Sequence, residues 1–334
     1  MNDTRILLAH GNGGRLMREL VTDIFARHLA NPSLDTDADA VVLPPLDGEV
    51  MVTTDGFTVQ PLEFPGGDLG SLAVHGVVND LAVAGADPRY LTLAALIEEG
   101  LELAVLDRLI ASFAAAAREA GVAVVAGDTK VVRRGEGGGL YLSVTGIGVK
   151  RAQTPLDITG IAPGDVVLVS GPIGDHGIAV MLAREQFGLS GELRSDSASV
   201  LPLTRAVRDL PGLRFMRDPT RGGLATVAHE IARASGHTIV LDEAAVPLRP
   251  EVVSVCEMLG YDPYYLACEG RVVAVADAAT ANEVLARWQA QPSGADARII
   301  GRVESGAARV VLTTALGGQR ILDELEDDPL PRIC

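Results

Sequence analysis

Val122-Ala-Val-Val-Ala126-Gly127-Asp128-Thr129-Lys130 decides how the first half of the chain is read. Its apolar, β-branched run predicts a strand over 122–126, after which a glycine leads into an acid, a hydroxyl and an amine in succession. Three such groups at a strand terminus suit a metal–phosphate cluster, because the strand fixes the backbone while the side chains reach into a cleft. Working outward, a helix is expected near 103–120 and a strand over 140–149. Upstream lie a strand near 90–97, an apolar helix over 69–84, and Met51-Val-Thr-Thr54 leading into Asp55-Gly56. We read this set as a β-α-β-β-α-β order, the split βαβ pattern of ferredoxin-like domains, in a mixed α/β (α+β) protein.

A chain of 334 residues exceeds the usual size of one domain, and 48% hydrophobic residues suffice for two cores. Asp and Glu number 44 against 28 Lys and Arg, a net charge of −16 that repels phosphate backbones, so nucleic acid is not an expected partner. An acidic protein that binds a polyphosphate needs divalent cations and carboxylates to hold them. Three cysteines, Cys256, Cys268 and Cys334, show no CxxC spacing, which argues against a disulfide framework and a structural zinc site. No basic segment leads into an apolar run at the N-terminus, and Asn79, Asp80 and Asp87 interrupt the most apolar region, so a soluble cytoplasmic protein is expected, without a membrane partner.

Candidate residues cluster where carboxylates meet apolar surroundings. Asp35, Asp37 and Asp39 precede an apolar run, and Asn79-Asp80 sits inside the apolar helix, where a carboxylate must be paired, hydrogen-bonded or metal-bound. In the second half, Gly171-Pro-Ile-Gly-Asp175-His176-Gly177 opens a helix, and 188–199 reads as a surface loop. Arg217-Asp218-Pro219-Thr220-Arg221-Gly222-Gly223 places a carboxylate, two guanidinium groups and paired glycines before a helix over 224–234, whose N-terminus favours anions. Cys268-Glu269-Gly270-Arg271 precedes a strand over 272–276, where the acid could serve as a base or merely end the strand. The chain closes on Pro331-Arg332-Ile333-Cys334, a thiol on a tether whose prolines favour extended backbone.

Taken in order, His10-Gly-Asn-Gly-Gly14, Thr54-Asp55-Gly56, Phe64-Pro-Gly-Gly-Asp68, Asn79-Asp80-Leu81, Ala126 to Lys130, Arg217 to Gly223 and the terminal Cys334 resemble the HypE family of hydrogenase maturation proteins. Looser forms of several motifs occur in aminoimidazole ribonucleotide (AIR) synthetase, selenophosphate synthetase and thiamine-monophosphate kinase, and the terminal cysteine separates HypE from these. The resemblance implies a two-domain PurM-like (AIR synthetase-like) fold, with an ATP-binding N-terminal domain over 1–155, an αβ C-terminal domain over 156–313 and a flexible tail over 314–334. It implies a homodimer, ATP and Mg2+ as cofactors, a HypF-type carbamoyltransferase as donor partner and a HypC–HypD complex as acceptor.

By motif, Asp39, Asp55, Asp80, Asp128 and Asp218 are the implied metal ligands, with Asn79, Thr129 and Arg221 also on the nucleotide side. Cys334, Glu269 and Lys130 are the implied catalytic residues, although Cys268 departs from the asparagine more often found before that glutamate. The implied reaction is ATP-dependent dehydration of a carbamoyl group on Cys334 to a thiocyanate, which supplies cyanide to the iron of [NiFe]-hydrogenase. The alternatives are a non-enzymatic carrier of a thiol-bound group and another superfamily activity such as a small-metabolite kinase.

Overall fold

Inward and outward positions alternate along the strand Glu49–Phe57: Met51, Thr53, Asp55 and Phe57 turn toward a helix layer, while Val50, Val52, Thr54 and Gly56 face outward. That is the period-two pattern of a sheet covered on one side. The structure is a computed structural model describing residues 4–150, 156–184 and 191–326; Cys334 and the 331–333 motif lie outside the described residues. The first sheet has the order Glu49–Phe57, Leu140–Lys150, Ala86–Glu98, Ala123–Val132, with helices Leu69–Val83 and Leu103–Ala120 packed on its inner face.

The order along the chain is β-α-β-α-β-β, the order in which the expected ranges themselves fall, so it is the β-α-β-β-α-β label given to them that does not hold. Strands Ala86–Glu98 and Ala123–Val132 pair in parallel, and a parallel pair needs a crossover, which the helix Leu103–Ala120 supplies. Pairing also carries the strand expected over 122–126 on to Val132, so Asp128, Thr129 and Lys130 lie within it and not at its end. Gly127 permits this, because a Cβ there would lie 2.6 Å from the Leu93 carbonyl oxygen. Asp128 and Lys130 stand opposite Ala94 and Leu96 on the open face, which also exposes Val50, Val52 and Tyr141.

The second sheet has seven strands, in the order Gln319–Ile321, Arg309–Thr313, Thr238–Asp242, Arg298–Glu304, Val166–Val169, Val273–Ala276, Leu213–Arg217. Alternate residues serve two cores. Leu168 and Ala274 join a cluster with Ile178, Leu203 and Trp288 that continues into the first domain, while Val169 and Val273 pack under the helix Gly223–Ser235. Leu213–Arg217 and Thr238–Asp242 were not anticipated from sequence, nor was Gln319–Ile321, which falls where a tail was expected.

Two further differences concern the edges of the second domain. Of the expected surface loop over 188–199, the described part 191–199 turns inward at 195–199 between the domains, where Ser195 and Asp196 find buried partners in His176, Glu269 and Gly270. The last described residues are held against the helix Gly223–Ser235: Leu322 is fully buried and its carbonyl lies 2.8 Å from His229 Nε2, Tyr265 donates to the Asp323 carbonyl at 2.7 Å, and Arg233 pairs with Glu324. No helix among the described residues is long and apolar enough to cross a membrane.

Candidate active site

Asp55 and Asp80 reach the domain junction from the first domain, one on a strand and one on a helix. Thr53, two residues before Asp55 and therefore on the same face, donates to Asp80 Oδ2 at 2.8 Å. From the second domain comes Asp218, which follows the strand Leu213–Arg217 and precedes the helix Gly223–Ser235. Gly222 and Gly223 turn that corner with φ of 72° and 57°. A Cβ on Gly223 would lie 2.5 Å from the Leu266 carbonyl, so the glycine lets the 264–268 segment close onto the Asp218 loop, where the Cys268 amide donates to the Pro219 carbonyl at 3.0 Å. Arg221 spans the junction, 3.6 Å from Asp55.

The cleft so formed has a volume of about 760 Å³ and is walled by Asp55, Asp80, Asp218, Thr220, Arg221 and Glu230 among others. Its electrostatics are those of crowded acids. Burial pushes Asp55 above the usual carboxylate range, and the Asp80 charge adds to the effect while Arg221 opposes it. Asp80 is raised by burial as well, with Thr53 working against it. Asp218, 5% exposed, is pushed up to about 7 by burial and then by Asp80. Behind it Glu269, equally buried, is raised well above its ordinary value by burial, then by Asp218, Asp196, Asp55 and Asp80. Such a set gains from a divalent cation, whose oxygen ligands are of this kind. Among the described residues, however, no three acidic, histidine or cysteine groups stand ready-assembled as a metal site.

The remaining sequence candidates fall elsewhere. Asp39, Asp128 and Thr129 line a separate groove of about 230 Å³ against the apolar face of the N-terminal helical segment, where Phe25 and Leu29 sit. The Thr129 hydroxyl is buried there and finds no partner among the described residues. Lys130 projects from the open face of the same edge strand. Two strands lie between that edge and the strand of Asp55, which faces the opposite side of the sheet. Asn79 is 1% exposed and turns from the cleft: it donates to the carbonyls of Ala198 and Glu269 at 3.0 and 3.3 Å and accepts from the Val200 amide at 2.8 Å. Cys268 is fully buried, its thiol pushed up by burial and its sulfur accepting from the Gly174 amide at 3.2 Å, which makes it an unreactive packing group.

Asp196 was missed from sequence. It carries no apolar periodicity and stands in a run of serines, so nothing local marks it as buried. Arg208 and Asp87, which pair across the junction at 2.9 Å, were missed as a pair for the same reason.

Comparison with known proteins matches residues 36–150 to the N-terminal domain and 162–312 to the C-terminal domain of AIR synthase related proteins. The chain is 46% identical to the carbamoyl dehydratase HypE of Cupriavidus necator, over 99% of this chain and 95% of that one. It is 43% identical to the carbamoyl dehydratase HypE of Escherichia coli, over 98% and 99%. Among solved structures, HypE in complex with ATP superposes with a TM-score of 0.93 at 44% identity, covering 98% of this chain and 99% of that one. HypE in a HypE–HypF complex gives 0.80 at 42% identity, covering 93% and 100%. Both domains and nearly the full length are thus shared, and the chain belongs to the HypE family of carbamoyl dehydratases, built on the AIR synthase related fold.

Proposed function

We propose that this chain is an ATP-dependent carbamoyl dehydratase that acts on its own C-terminal cysteine in the maturation of [NiFe]-hydrogenase. The observation that carries the reading is the convergence of the acids Asp55, Asp80 and Asp218 on one cleft at the domain junction, each raised by burial, with Glu269 buried behind it. The eight residues beyond Glu326 can span at most about 28 Å when extended. They start beside the cleft: a Cβ on Gly222 would sit 3.5 Å from Leu325. Cys334 therefore has the chain length to enter.

The substrate is a carbamoyl group on Cys334 sulfur. An amide oxygen leaves poorly, so its attack on the γ-phosphorus of ATP, with ADP departing, turns it into a phosphate ester oxygen. Removal of the two nitrogen protons then closes the C≡N bond as the C–O bond breaks, giving thiocyanate, phosphate and ADP. Glu269 is the candidate base for this step, since burial among acids makes it more basic than an ordinary glutamate. Arg221 offers a guanidinium to phosphate oxygens at the mouth of the cleft. Magnesium would be held by Asp55, Asp80 and Asp218, an all-oxygen donor set, and would neutralise charge on the transferred phosphoryl group.

Asp39, Asp128, Thr129 and Lys130 enter the same reading through a homodimer. The open face of the first sheet exposes Val50 and Val52, at 51% and 64%, beside Asp128 and Lys130. A second copy laid on this face would cover apolar surface and carry those polar groups to its neighbour's cleft. HypF, seen in complex with a relative, is the proposed carbamoyl donor, and a HypC–HypD complex the acceptor of cyanide. Cys334→Ala tests the proposal. Tail-coupled dehydration would lose ATP turnover together with the bound group, whereas a carrier whose nucleotide site is only a switch would lose its cargo and keep ATP turnover.

A further inference from the structure

The segment 195–200 lies between the two domains, and beside contacts to Pro65, His75 and His176 it grips the backbone of one residue from two sides. Asp196, whose side chain has no exposed surface, accepts from the Glu269 amide at 3.1 Å and from the Gly270 amide at 3.3 Å, while Arg271 Nε stands 3.5 Å from the same carboxylate. From the other side, the Glu269 carbonyl receives the Asn79 carboxamide at 3.3 Å and the Ala198 amide at 3.4 Å. Both polar groups of the Glu269 backbone are thus held, one by a carboxylate and one by the residue next to Asp80. Gly270 shows how close the fit is, since a Cβ there would lie 1.9 Å from the Asp196 carbonyl oxygen.

We propose that 195–200 is a clamp for the candidate base, with Asp196 the positioning residue that fixes Glu269 against the nucleotide-side acids. This rests on the dehydratase reading, with Glu269 as base. Burying a carboxylate is costly unless charged or amide donors compensate it, and here two consecutive amides and a guanidinium do so at one spot. A carboxylate that merely joined two domains would have no need to grip two consecutive amides beginning at the candidate base. Asn79 completes the device from the helix that carries Asp80, so the base and a phosphate-side acid share one rigid frame. Misplacement of about 1 Å between such groups costs on the order of 10²-fold in rate.

The test uses the full-length protein carbamoylated on Cys334, with magnesium-ATP and mass analysis of water loss. Asp196→Asn must present an NH2 group to one of its donors; it is expected to lower kcat for dehydration about 10²-fold with the KM for ATP within about twofold. Hydrogen exchange at the Glu269 and Gly270 amides should accelerate as well. Gly270→Ala keeps every charge and pushes the same segment off the clamp, so it should give the same kcat loss, and it decides the matter if Asp196→Asn fails to fold. An unchanged kcat in both variants, or a parallel loss of ATP affinity, overturns the proposal. Glu269→Gln separates the two levels: if it dehydrates normally the base assignment itself is wrong, and if it is inactive while Asp196→Asn and Gly270→Ala are normal, only the clamp is.

Discussion

Asp87 receives two nitrogens of Arg208, at 2.9 and 3.3 Å, and the pair joins the first-domain strand Ala86–Glu98 to the end of the helix Leu201–Val207. Both side chains are under a tenth exposed. Arg205 Nε also stands 3.3 Å from Asp87, so loss of Arg208 leaves the buried carboxylate only partly compensated, and Arg208→Met is expected to destabilise the folded chain by about 1–3 kcal/mol, read from denaturant melts. Asp87→Asn combined with Arg208→Met should recover part of that loss, because the buried negative charge is then gone and the Arg205 left behind is half-exposed to water.

Asp218 gives the protein a predictable response to pH. It holds its proton to about pH 7 when folded, against an ordinary value of 3.8, so between those values the folded state binds more protons than the unfolded one. By linkage its contribution favours folding fully below about pH 4, falls as pH rises toward 7, and is level beyond. The melting temperature of the metal-free protein should therefore decline across that window, and Asp218→Asn should flatten the decline. Magnesium added at pH 8 should raise the melting temperature of the unsubstituted chain more than that of Asp218→Asn.

Lys130 and Glu269 are candidates for one reaction, yet Lys130 is on the open face of the first sheet and Glu269 is buried at the domain junction. If a second copy completes the site, Lys130→Ala and Glu269→Gln should each be inactive alone and recover about a quarter of full activity when mixed and re-associated. No recovery in confirmed heterodimers would mean that both residues act within one chain.

Much of the architecture was legible because it follows from local pattern. The helix expected at 103–120 appears over the same residues, and the strand expected at 140–149 is longer by one. Asp55, Asp80 and Asp218 stand out in the sequence as acids beside apolar runs or helix-opening glycines, and the structure brings the three to one cleft. What could not be read was pairing at a distance. Gly127 looked like the end of a strand, yet Leu93 on a neighbouring strand leaves room only for a glycine and carries the pairing through it. The 195–199 segment reads as solvated because its residues are polar; its buried partners, Glu269 and His176, lie 73 and 19 positions away. The resemblance placed Asn79 with Asp80 on the nucleotide side, but successive helix positions face different directions, and Asn79 bonds to Ala198, Glu269 and Val200.

The central claim is that ATP removes water from a carbamoyl group on Cys334. It is tested most directly by carbamoylating the thiols with cyanate, adding magnesium-ATP and following the mass of the C-terminal peptide. The expected result is an adduct that loses one water only when ATP is present, with phosphate released in equal amount. An adduct that stays intact while ATP is bound or hydrolysed would contradict the account.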